Sequence, residues 1–119
     1  MSESLTRGMQ SSSKPGAFTD ADMVEYRKAW AQPGALKSMI NWYRSIVQQP
    51  IQSPDPRVKI PTLILWGKKD AYLKSEMAQA SVDLCDNGKL IYFDNATHWI
   101  QHEEPDRVNG HMLEFFKST

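Results

Sequence analysis

A single cysteine, Cys85, stands among the 119 residues, so no internal disulfide can form. No window approaches the ~20 consecutive apolar residues that a membrane-spanning helix needs. The opening stretch, MSESLTRGMQSSSKPG, has no apolar segment and does not read as a secretory signal. Neither sign of charge is in excess: 14 basic and 14 acidic residues cancel, which argues against a polyanionic partner such as nucleic acid. The three histidines lack the spacing of metal ligands, and neither a metal site nor a cofactor is expected. No internal repeat is found. These absences point to a cytoplasmic protein without membrane or nucleic-acid partners.

What remains is the composition of one ordinary globular domain, 40% apolar and 24% charged. Such a length can bury roughly two thirds of its unfolded surface. Residues 1–16 are rich in Ser and Gly without periodicity and read as a flexible leader. Thr19 has the features of an N-cap, with Asp20 and Asp22 opposing the dipole of a short helix, DADMVEYRKAW. Gln32-Pro33-Gly34 stops it. Leu36, Met39, Ile40, Tyr43 and Val47 then recur at helical spacing, giving a second helix with one apolar stripe. Pro50, Pro54 and Pro56 mark a stiff linker. Residues 17–58 thus form a helical unit and residues 59–119 a different one.

In that second unit, IPTLILWG (60–67) is a continuous apolar run of the kind that suits a strand buried on both faces. Residues 75–84 read as a helix, Asn87-Gly88 as a turn, and KLIYFD (89–94) as a second strand. Pro105 suits the first turn of a last helix whose face is Val108, Met112, Phe115 and Phe116. The alternation predicts an α/β arrangement, a parallel β-α-β-α unit with a right-handed crossover, preceded by two helices. Several residues have plain structural readings. Asp70 by itself caps a turn, Trp66 is core, and Cys85 is a half-buried thiol. His102 and His111 are ordinary surface or helix residues, and Glu103-Glu104 suit a helix N-terminus.

PTLILWGKKDAYL followed by FDNATHWIQHEEPDRVN resembles the C-terminal part of the α/β-hydrolase fold. There an acid follows one late strand and a histidine the next. Asp70 matches the acid and His98 the histidine, 28 residues apart. QPGALKSMINWYR resembles the lid of epoxide hydrolases, where a tyrosine faces the substrate oxygen; Tyr43 holds that place, although on its stripe alone it reads as core. Residues 17–58 would then be lid helices plus linker. Trp99, after the histidine, resembles a pocket wall, and Trp42 is a second pocket candidate. The resemblance implies His98 as general base, Asp70 as its orienting acid, Tyr43 as donor to an opening oxirane, and a small apolar epoxide as substrate. The family's nucleophile elbow, G-x-[SD]-x-G, does not occur in the sequence, nor does its oxyanion loop.

The chain therefore reads as a truncated C-terminal portion of such an enzyme, inactive alone. Alternatives are half of a split hydrolase completed by an N-terminal chain, a haloalkane-dehalogenase-like enzyme using Asn41 and Trp42, and a non-enzymatic module that binds through a sheet edge. Loss of a neighbouring strand would leave TLILW with an open edge. With Met23, Trp30, Met39 and Ile40 also exposed, a homo-oligomer is expected.

Overall fold

Thr19 caps its helix as expected. Its hydroxyl accepts the N–H of Asp22 at 3.2 Å, and the Asp22 carboxylate accepts the N–H of Thr19 at 2.8 Å. Both orphan donors at the helix start are satisfied reciprocally. The resulting helix runs Asp20–Trp30 in a computed structural model that describes residues 2–49 and 55–119. Pro50 and Pro54 of the expected linker lie outside the described residues. In chain order the elements are α1 (Ser2–Ser12), α2 (Asp20–Trp30), α3 (Ala35–Gln48), β1 (Thr62–Gly67), α4 (Glu76–Asp83), β2 (Gly88–Phe93), α5 (Ile100–Glu103) and α6 (Pro105–Ser118).

Two expectations for the first unit are corrected. Residues 2–12 are not a flexible leader but the helix α1, with Thr6 and Met9 buried. The second correction follows from the first. Met23 and Trp30 are not exposed: they form a core cluster with Met9 and Phe18, and Leu5, Ala17, Tyr26, Leu36 and Trp99 pack around it. Leu5 and Met9 share one face of α1, too short an apolar pair to announce a helix in the sequence, and with Phe18 they close over the inner face of α2. The stripe of α3 behaves differently. Gly34, at φ +80°, turns the chain into α3, and none of the residues of that helix is buried. Met39 and Ile40 are exposed as expected.

The second unit has the expected order and pairing. β1 and β2 are parallel and in register from Thr62 opposite Gly88 to Gly67 opposite Phe93. α4 provides the crossover. Gly88 is required where β2 begins, because a Cβ there would meet Val82 Cγ2 at 2.7 Å and Cys85 Cβ at 2.8 Å. Ahead of β1, Arg57 grips the end of α4, donating to the Asp83 carbonyl at 2.8 Å and the Asp86 carboxylate at 2.9 Å. Val58 adds an isolated parallel bridge to Cys85. Phe93, Ala96 and Val108 are the buried centre of this unit, with Leu65, Ile91 and Ile100 against them. Among the described residues the sheet has two strands, so β1 keeps one edge without a partner. Leu63 and Leu65 on β1 and Met112, Phe115 and Phe116 on α6 line an apolar groove of about 300 Å³.

Candidate active site

The register places Gly67 and Phe93, the last residues of the two strands, side by side. The segments that follow therefore leave from the same end of the sheet, and short bonds join them. Lys68 N donates to the Phe93 carbonyl at 3.0 Å and Lys69 N to the Ala96 carbonyl at 2.9 Å. Gly67 is where they touch most closely. A Cβ on it would stand 2.1 Å from the Thr97 carbonyl oxygen and 2.6 Å from that of Ala96.

This approach brings Asp70 and His98 together. Oδ2 of Asp70 lies 2.8 Å from Nδ1 of His98, while Oδ1 accepts the backbone N–H groups of Tyr72 at 2.8 Å and Leu73 at 3.0 Å. The turn-capping role read for Asp70 thus exists beside the contact with histidine, on the other carboxylate oxygen. The Asp70 side chain is 7% exposed. Burial pushes its carboxyl up, but the hydrogen bonds from His98, Leu73 and Tyr72 outweigh this and hold it below its usual value. An ionised carboxylate only accepts, so Nδ1 donates to it, and in the neutral ring Nε2 is then the nitrogen with the lone pair. Such an imidazole can take a proton at Nε2, and the adjacent carboxylate stabilises the cation that results. The rings of Tyr72 and Trp99 meet the imidazole edge-on, each with centroids 5.2 Å away.

The pair opens into a cavity of about 240 Å³, lined in part by Leu65, Trp66, Leu73, Ile100, Asp70 and His98. Tyr43 and Trp42 are not among its lining residues; they stand 72% and 69% exposed on α3. Tyr43 is therefore not a core residue. Trp99 is not among the lining residues either. Its indole N–H donates to the Ser12 hydroxyl at 2.9 Å and its ring meets Phe18 edge-on at 5.3 Å.

Two contacts had no sequence signal strong enough to find them. His102, read as an ordinary surface or helix residue, lies 2.9 Å from the Tyr26 hydroxyl and against the Phe18 ring. Glu103, read as a helix-start charge, accepts from Thr97 N at 2.7 Å, Thr97 Oγ1 at 2.6 Å and Lys14 N at 2.7 Å. Burial raises its carboxyl; those three bonds, led by the Thr97 hydroxyl, prevail and lower it. A Thr six residues before a Glu fits no capping pattern, and Lys14 is remote in sequence.

The model of the family described as α/β-hydrolase fold matches residues 11–105. The chain belongs to the α/β-hydrolase fold family. Among curated proteins, the chain is 37% identical over 116 residues to the AB hydrolase superfamily protein YfhM of Bacillus subtilis (strain 168), covering 98% of the chain and 41% of that protein. It is 33% identical over 121 residues to Epoxide hydrolase 2 of Caenorhabditis elegans, covering 97% of the chain and 33% of that protein. Among solved structures, the Bacillus megaterium epoxide hydrolase in complex with an inhibitor superposes with a TM-score of 0.74 at 26% identity, over 86% of this chain and 39% of that one. The chain thus spans 41% and 33% of the length of these two curated relatives.

Proposed function

We propose that this α/β-hydrolase chain supplies the base and its orienting acid to an epoxide-hydrolase-like reaction. The observation that carries the proposal is the 2.8 Å contact of His98 Nδ1 with Asp70 at the mouth of an apolar cavity. The reaction class follows from the similarity to epoxide hydrolases. A carboxylate would open the oxirane, forming an ester as a ring C–O bond breaks, and the freed alkoxide would take a proton. Water would then attack the ester carbonyl while His98 Nε2 removes its proton, releasing a diol. Asp70 would hold the imidazole in the right tautomer, and Tyr43 would donate to the oxirane oxygen once α3 covers the cavity. The sequence has no nucleophile elbow, so the attacking carboxylate belongs to a separate portion of the catalytic unit. That portion, or a second copy of this chain, would cover the open edge of β1 and the groove beside α6.

The test is a chimera in which this chain replaces its matching segment in Epoxide hydrolase 2 of C. elegans. The chimera is expected to form diol from a small apolar epoxide, and the isolated chain to form none. In the chimera, His98→Gln is expected to stop turnover and leave protein heavier by the mass of one epoxide, because alkylation precedes the step that needs the base. Undiminished turnover by His98→Gln, or turnover by the isolated chain, would refute the proposal.

A further inference from the structure

Asp70 fixes one nitrogen of the His98 ring, but the backbone that carries the ring is fixed from elsewhere. The residues on both sides of His98 are tied to one node. Thr97 N donates to Glu103 Oε2 at 2.7 Å and Thr97 Oγ1 donates to Glu103 Oε1 at 2.6 Å. Trp99 N in turn donates to Thr97 Oγ1 at 3.3 Å. α5 makes this closure local, since the N–H groups of His102 and Glu103 both bond the Trp99 carbonyl and return the Glu103 carboxylate to Thr97. The same carboxylate accepts Lys14 N at 2.7 Å, just beyond α1. Beside it, Trp99 reaches Ser12, His102 reaches Tyr26 and Lys14 Nζ reaches Glu104, so polar contacts seat the first helical unit on the histidine loop and α5.

We propose that Glu103 is a positioning residue for His98: its carboxylate sets the loop from which the imidazole reaches Asp70, and joins that loop to the first helical unit. Three donors converge on two oxygens, and only a carboxylate can accept all three there. Glutamine has the same shape but turns one of those oxygens into an NH₂ that faces a donor. The node is therefore broken by Glu103→Gln without a change of volume, leaving a partly buried N–H unpaired. Glu103 does not touch the reacting atoms; it acts through Thr97 and His98. In its bearing on catalysis this inference rests on the reading of His98 as the base.

The experiment reads the imidazole itself, in the full chain, without turnover. Long-range proton–nitrogen correlation from the carbon-bound ring protons reports which ring nitrogen of His98 is protonated. In the unaltered chain Nδ1 is expected to read as protonated. In Glu103→Gln the two nitrogen signals are expected to move toward the mixed values of free histidine. Arg57→Ala, which loosens the remote end of α4, is expected to lower the melting temperature while leaving the His98 nitrogens in place. Unaltered His98 nitrogens in folded Glu103→Gln would overturn the positioning role. Should Glu103→Gln fail to fold, Thr97→Val decides. It keeps the carboxylate but removes the hydroxyl that donates to Glu103 and accepts Trp99 N, and it must shift the His98 nitrogens if the node sets the ring. If Nδ1 of the unaltered chain is not protonated, the His98–Asp70 reading fails, a result distinct from an insensitivity to Glu103.

Discussion

Replacing Gly67 by alanine should separate the approach of the two segments that follow β1 and β2 from every other feature of the fold. The added Cβ would stand 2.1 Å from the Thr97 carbonyl oxygen, 2.6 Å from the Ala96 carbonyl oxygen and 2.8 Å from Ile100 Cγ2. Two of the three obstacles are backbone and cannot rotate away. Restoring ordinary contact with Thr97 needs a displacement of about 1 Å or more, in a core where such overpacking costs about 1–3 kcal/mol. For a chain of this size that is a fall of roughly 4–12 °C in melting temperature. The displaced residue is the neighbour of His98, so the 2.8 Å bond to Asp70 should lengthen past hydrogen-bonding range in the same variant. Gly110→Ala is the control. Gly110 lies within α6 with nothing within 4 Å of its would-be Cβ. There alanine should stabilise by about 0.5–1 kcal/mol, because glycine is a poor helix former. Thermal unfolding followed by circular dichroism gives both signs, and the His98 nitrogen signals report the site. A Gly67→Ala chain as stable as the parent, with the His98 signals unmoved, would refute the close-approach argument.

Two further outcomes are expected. The Asp70 carboxyl is depressed in the folded chain, so its contribution to stability is complete above the unfolded value of 3.8 and is lost as pH falls through the lower folded value. Denaturant titrations from pH 6 to about 2.5 should show that loss, and Asp70→Asn should flatten the part of the slope due to this group; an identical slope would mean that Asp70 is not held by its partners. The open edge of β1, beside the Leu63–Phe116 groove, predicts self-association in the absence of any other partner. Light scattering after size exclusion should give a dimer or larger, and a monodisperse monomer of 13.6 kDa at high micromolar concentration would refute it.

The sequence by itself determined the local elements whose causes are local. Thr19 with Asp22 starts α2, Asn87 precedes β2 and Gly88 opens it, and Pro105 starts α6; the apolar run 60–67 holds β1, but the expected burial on both faces is not met, since Thr62–Trp66 are only half-buried. It also determined the pairing of Asp70 with His98, since parallel strands joined by one helix put both following segments at the same end of the sheet. Only the tertiary structure decided what depends on distant residues. A leader without periodicity becomes α1 because Met9 has Met23 and Phe18 to pack against. Trp99 meets Ser12 and Phe18, residues more than 80 positions away in the chain. Tyr43 stays in solvent, because a stripe at helical spacing says which residues share a face and not what that face meets. Glu103 is legible in the sequence only as a charge before a helix. Its three bonds arise because α5 turns it back on Thr97 while the chain after α1 delivers the Lys14 N–H, a meeting of segments 89 residues apart.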